Sequence, residues 1–144
     1  MDEIYHHALK LLRRRDHTVA QLREKLESKF GNVPKETIDT LLKKRFLDDA
    51  RYAGNFVMKR RAFHPSLVRD ELLNDGVSPE VIEQALSGND WPSLQHVVRT
   101  KMIDWKLQAP IHRKELNRLY RTLARLGYPE EEVREELEQL HEQQ

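Results

Sequence analysis

The 144 residues include no cysteine, which excludes a disulfide framework, a thiol nucleophile and a thiolate metal site, and agrees with a reducing compartment. No apolar run approaches the roughly 20 residues of a membrane-spanning helix, and the first residues lack a signal-peptide pattern. A cytoplasmic protein without membrane contact is therefore expected. Aromatic residues are scarce at 7%, and hydrophobic residues reach 38% against 34% charged, with a mean hydropathy of −0.79. A single domain of this length buries about 68–70% of its unfolded surface. A core is possible, but it must be thin beneath a heavily charged surface.

Sites of chemistry are equally sparse. There is no glycine-rich phosphate loop, no Gly-x-Ser-x-Gly elbow and no His-Glu-x-x-His pair. Neighbouring His6 and His7 point about 100° apart on a helix, and His17, His64, His96, His112 and His141 are scattered. Surface or cap positions are expected for all seven histidines, with no metal and no cofactor. The acidic runs Asp48-Asp49 and Glu130-Glu131-Glu132 stand at helix starts, where the positive end of the helix dipole accounts for them. These absences point away from an enzyme.

What is present is helical periodicity, punctuated by glycine and proline. Ile4, Ala8, Leu11 and Leu12 trace one face of a first helix closing in Arg13-Arg14-Arg15. Thr18 and Gln21 have capping-box spacing and open a second helix, with Val19, Leu22 and Leu26 on one face and Gly31 as its stop. Pro34 suits the first turn of a third, which carries Ile38, Leu41 and Leu42 to Lys43-Lys44-Arg45. Later starts are expected at Asp48, Pro65, Ser78-Pro79, Asp90, Pro110 and Pro129, with stops at Gly76, Gly88-Asn89 and Gly127. No stretch reads as a strand.

The expectation is an all-α chain of nine helices in three related sets of three, divided at 1–47, 48–88 and 89–144. Gly76-Val77 superposes on Gly127-Tyr128 at an offset of 51, which also aligns Val68 with Leu119, Leu72 with Leu123 and Ile82 with Val133. The first set aligns less cleanly, with Leu22 and Leu26 meeting Val68 and Leu72 at an offset of 46 but Ile38 meeting Ile82 at 44. A two-helix repeat of 34 residues fits poorly.

The joint at Arg45–Val57 organises the first half. Asp48 has the chemistry of an N-cap and Asp49 follows at the first helical position, while Leu47 and Tyr52 have the spacing of a hydrophobic staple. Tyr52, Ala53, Phe56 and Val57 then form an apolar stripe ending in Lys59-Arg60-Arg61. Phe46, Leu47, Asp48, Asp49, Tyr52 and Phe56 are thus structural candidates, and a core position for Phe46 would make Phe46→Ala cost about 3–5 kcal/mol.

Charge supplies the strongest functional signal. Residues 1–70 hold 16 Lys+Arg and 10 Asp+Glu, whereas residues 71–144 hold 9 and 14, so a basic half precedes an acidic one. Dipole compensation explains one or two charges in each of the clusters Arg13-Arg14-Arg15, Lys43-Lys44-Arg45 and Lys59-Arg60-Arg61. Three in a row at three helix ends exceeds that need and points to an anionic partner, either nucleic acid or an acidic protein surface. Arg23 and the stripe Arg118, Arg121 and Arg125 extend the set of binding candidates. Phe63, Trp91 and Trp105 are core aromatics or base-stacking ones.

Three stretches together resemble the RecX family. They are Phe46-Leu47-Asp48-Asp49-x-x-Tyr52, Arg15-Asp16-His17-Thr18 leading to Leu22-Arg23-x-Lys25-Leu26, and Val68-x-x-Glu71-Leu72-x-x-x-Gly76-Val77. Arg121-x-Leu123-x-x-x-Gly127-Tyr128 adds to the match, which runs from about Tyr5 to Leu140. Arg45 stands where the family usually has glycine, Ala62 and His64 replace glycines, and Asp75 replaces a usual basic residue. The resemblance implies three tandem three-helix repeats in an elongated, curved protein. It also implies a non-enzymatic monomer that binds the RecA recombinase filament and single-stranded DNA, with double-stranded DNA as a further ligand, and that limits filament extension and RecA activities. The alternative is a nucleic-acid-binding protein acting without RecA, because the second and third helices resemble a helix-turn-helix.

Overall fold

In the computed structural model, which describes residues 2–142, side chains at several helix starts, among them Asp2, Thr18, Asp48 and Ser93, accept otherwise orphaned backbone N–H groups. The described residues form nine α-helices and no strand: α1 Glu3–Arg14, α2 Val19–Phe30, α3 Lys35–Lys43, α4 Asp49–Lys59, α5 Pro65–Asn74, α6 Pro79–Ser87, α7 Leu94–Asp104, α8 Arg113–Arg125 and α9 Glu130–Glu142. The chain is all-α. Residues 1, 143 and 144, the outer ends of the first and last expected sets, lie outside the described residues.

Local chemistry explains most boundaries. Thr18 and Gln21 form the expected capping box on α2, and Gly31 closes that helix at φ +81°. Asp48 Oδ1 accepts from Arg51 N at 3.1 Å and caps α4. Two starts differ from expectation. Asp90 does not cap α7: Ser93 does, accepting from His96 N at 3.1 Å. Pro92 accounts for the shift, since the residue before a proline is pushed out of the helical region and the helix starts beyond it. Likewise α8 begins at Arg113 rather than at Pro110, because Ile111 is buried and its N–H donates to Leu140 O at 3.3 Å.

Four helices end in one Schellman pattern, in which the N–H of the second residue past the cap reaches back five positions and that of the first reaches back three. After α5, Val77 N donates to Leu72 O and Gly76 N to Leu73 O; after α8, Tyr128 N donates to Leu123 O and Gly127 N to Ala124 O. After α3 and α7 the same bonds run Phe46 to Leu41, Arg45 to Leu42, Leu107 to Met102 and Lys106 to Ile103. The pivot is left-handed each time: Gly76 at φ +91°, Gly127 at +92°, Arg45 at +62° and Lys106 at +57°. A residue without a side chain suits this conformation, so Arg45 and Lys106 sit under strain that the two glycines avoid.

The described residues gather into two compact units, one running to Lys59 and joined by Arg69–Asn89, the other made of Arg60–Val68 with the chain from Asp90 onward. In the first unit Tyr5, Ala8, Leu22, Leu26, Ile38, Leu41 and Leu47 form a buried cluster, and α4 packs on α6 through the stripe containing buried Ala53, Val57, Ile82 and Leu86. In the second, α8 and α7 pack on α9 around Val97, Val98, Ile111, Leu116, Leu119, Leu123, Tyr128, Val133 and Leu137. Burying each leucine fully is worth about 1.5–3 kcal/mol.

A docking arrangement recurs once within each unit. In the first, Thr18 Oγ1 at the start of α2 donates to Asp75 O at 2.6 Å, and a Cβ built on Gly76 would stand 2.4 Å from Ala20 Cβ. In the second, His64 N at the start of α5 donates to Leu126 O at 2.7 Å, and a Cβ on Gly127 would stand 2.7 Å from Leu67 Cβ. The paired glycines therefore serve close approach as well as turn geometry.

Candidate interaction surface

Between the end of α1 and the loop joining α3 to α4, the first unit carries an open groove of about 630 Å³ lined by His6, Leu9, Leu12, Arg13, Asp16, Arg45, Phe46 and Arg51. Its shape follows from the left-handed turn at Arg45. Leu47, one residue further, drops into the core at 1% exposure, which leaves Phe46 on the surface at 45%. The core position considered for Phe46 is thus taken by Leu47; at the equivalent position of the other turns Val77 and Tyr128 are 3% and 8% exposed and Leu107 is half-buried. Arg51 holds this loop: its guanidinium donates to Arg45 O at 2.8 Å and Phe46 O at 3.3 Å, and approaches Asp16 Oδ1 at 3.5 Å.

Of the basic residues singled out in the sequence, the groove brings together Arg13 and Arg45, both exposed, whose guanidinium groups have no ion-pair or hydrogen-bond partner among the described residues. Arg14, Arg23, Lys43 and Lys59 are exposed elsewhere on the first unit. Arg15, also exposed there, donates to Asp16 O, and Lys44 Nζ lies 5.9 Å from the Tyr5 ring centre. Arg60, Arg61, Arg118, Arg121 and Arg125 belong to the second unit. There, Arg61 donates to Asp90 O at 3.0 Å, and Arg118 stacks 3.8 Å over the half-buried Trp105 ring, next to Glu115. Arg125 reaches Thr122 Oγ1 at 3.4 Å, and Arg121 borders a hollow of about 440 Å³ with Tyr120, Ala124, Gly127, Tyr128, Glu130 and Val133.

The acidic joint does more than cap α4. Asp49 Oδ1 accepts Val19 N at 2.9 Å and so closes the start of α2 from thirty residues away. Burial raises the Asp49 carboxyl above its ordinary pKa, with the Val19 N–H opposing and the Asp48 and Asp16 charges adding to the rise. Tyr52 stacks on Phe56 and donates its hydroxyl to Asp75 Oδ2 at 2.7 Å; burial first, then Asp75, raises its pKa. Asp75, where a basic residue is usual in the resembling family, is here an internal acceptor rather than a surface contact.

His17, directly before the Thr18 cap, is not at the surface but 1% exposed. Its Nδ1 lies 2.9 Å from Arg15 O and its Nε2 3.0 Å from Lys25 Nζ. An Nδ1–H donor with Nε2 accepting from the ammonium satisfies both contacts, which assigns the neutral tautomer. Burial above all lowers its pKa, with the Arg15 and Lys25 charges adding to the fall and the Arg15 carbonyl and Asp16 opposing it. Arg51, Asp75 and His17 are the residues that sequence reasoning missed. Arg51 lies inside the joint motif, but nothing in its spacing signals a partner at Asp16.

No group of three or more histidine, cysteine or acidic side chains placed to hold a metal occurs among the described residues, and no helix there is long and apolar enough to cross a membrane. No protein-family model matches the chain. Regulatory protein RecX of Trichlorobacter lovleyi is 32% identical over 143 residues, covering 92% of this chain and 92% of its own length. The protein of that name from Chlorobium phaeobacteroides is 32% identical over 139 residues, 92% of this chain and 90% of its own. That from Serratia proteamaculans is 28% identical over 162 residues, 92% and 95%. With relatives at this identity spanning nearly the whole chain, the protein belongs to the RecX family of regulatory proteins.

Proposed function

We propose that this protein is a non-enzymatic, cytoplasmic regulator that binds RecA and RecA filaments on single-stranded DNA as a monomer. It limits filament extension and thereby inhibits RecA ATPase, strand exchange and coprotease activities. The observation that carries this reading is the near end-to-end likeness to proteins named as regulators. Exposed arginines and lysines at the ends of α1, α3 and α4, in excess of what helix dipoles need, supply the anion-seeking surface. The division into sets at 1–47, 48–88 and 89–144 is part of the proposal, and the docking arrangement recurring at Gly76 and Gly127 supports it.

The test is a titration into RecA's ATPase assay on single-stranded DNA. A molecule that stops growth at a filament end silences every protomer that would have joined behind it, so inhibition is expected well below one copy per RecA protomer. It is expected to persist at salt that abolishes binding to bare DNA, where n phosphate contacts give log K a slope of roughly −0.7n against log salt. Inhibition that needs saturating protein and vanishes at the same salt as bare-DNA binding refutes this reading in favour of the helix-turn-helix alternative on α2 and α3.

A further inference from the structure

The groove in the first unit has an apolar floor, and phosphate contact alone has no use for one. Leu9 and Leu12 line it half-buried from α1, and Phe46 is exposed where the matching residues Val77 and Tyr128 are buried and Leu107 is half-buried. The ring is nevertheless framed. Arg51 donates to the carbonyls of Arg45 and Phe46, on either side of the Phe46 Cα, and is tied to Asp16, so its charge serves the loop, while the Arg13 and Arg45 guanidinium groups line the groove unpaired. An exposed aromatic on a braced backbone beside uncommitted arginines is the composition of an interface anchor.

We infer that this groove docks a protein segment presenting an apolar side chain flanked by carboxylates, the side chain against Phe46, Leu9 and Leu12 and the carboxylates on Arg13 and Arg45. The inference rests on the regulatory reading above, in which that segment belongs to the RecA filament, and it separates the protein contact from the DNA contact. Single-stranded DNA suits the groove less well. A strand is held by successive stacking rings along a cationic track, whereas this groove sets the Phe46 and His6 rings beside two aliphatic side chains and, among its three arginines, the Asp16 carboxylate, which repels phosphate.

The experiment compares the full-length protein with its Phe46→Ala and Phe46→Leu variants, each checked for fold by circular dichroism. Two readouts are taken at one salt concentration: inhibition of RecA ATPase on single-stranded DNA, and binding of fluorescent oligo(dT) by anisotropy. Phe46→Ala is expected to raise the half-inhibitory concentration about tenfold or more, the scale of losing an interface anchor. Phe46→Leu, which keeps apolar volume but cannot stack, is expected to retain most of the inhibition, with oligo(dT) affinity unchanged in both. Loss of inhibition in both variants at unchanged oligo(dT) affinity still places a protein partner on the ring. Full inhibition by Phe46→Ala overturns the inference, as does parallel loss of oligo(dT) binding and inhibition in both variants, which assigns the groove to nucleic acid. Failure of the unaltered protein to inhibit refutes the regulatory reading itself and takes this assignment with it.

Discussion

Replacing Gly76 by alanine puts a methyl carbon 2.4 Å from Ala20 Cβ and 3.8 Å from Ala20 Cα, at a backbone φ of +91°. Two costs add. A side chain in the left-handed region costs about 1–2 kcal/mol, and forcing a methyl into occupied space costs about 1–3 kcal/mol, so the variant should lose about 2–5 kcal/mol. The two parts are separable. Ala20→Gly costs about 0.5–1 kcal/mol through helix propensity alone, yet it removes the atom that the new methyl meets. In the double variant the steric part therefore returns, as a coupling of about 1–3 kcal/mol, while the backbone part stays. Gly54 in α4 is the control: it is helical with nothing within 4 Å of a built Cβ, so Gly54→Ala should gain about 0.5–1 kcal/mol. Urea unfolding followed by far-ultraviolet circular dichroism measures all four variants. Additivity of the Gly76 and Ala20 changes, or a Gly76→Ala protein as stable as the parent, would refute the close approach of these two backbones.

At the equivalent turn after α3, Arg45→Gly removes a left-handed side chain at φ +62°. The relief of about 1–2 kcal/mol outweighs the added flexibility of the unfolded chain, for a net gain of about 0.5–1 kcal/mol; a fall in the urea midpoint contradicts this. His17 is expected to make stability depend on pH near neutrality. Burial lowers its native pKa, so below the unfolded value of 6.5 the unfolded chain takes up the proton first. Its contribution is complete above 6.5 and is lost as pH falls through that value toward the native pKa. His17→Asn should flatten the stability profile there, and an unchanged slope would show that His17 is not the titrating group. Asp49 acts with the opposite sign and at lower pH: its raised carboxyl pKa means that the native state takes up the proton first, so that group favours folding as pH falls toward 3.8.

Sequence alone determined where most helices begin and end, because the groups that decide it lie within about one turn of each other along the chain. The capping box at Thr18 and Gln21, the cap at Asp48 and the stop at Gly31 are of this kind, and so are the pivots at Gly76 and Gly127. It also placed the buried stripes, since a helix of 3.6 residues per turn shows its inward face in the spacing of Leu22 and Leu26 or of Leu116, Leu119 and Leu123. The tertiary structure alone decided what depends on groups far apart in the chain. Asp49 closes α2, Thr18 reaches Asp75, and Arg51 joins the Arg45 loop to Asp16, across separations of 30, 57 and 35 positions. Packing likewise decided that His17 is buried and Phe46 is not. Beside a left-handed turn two apolar neighbours compete for one core position, and Leu47 takes it. The groove exists for the same reason: its walls come from α1, the loop after α3 and the start of α4, and only folding sets those three segments side by side.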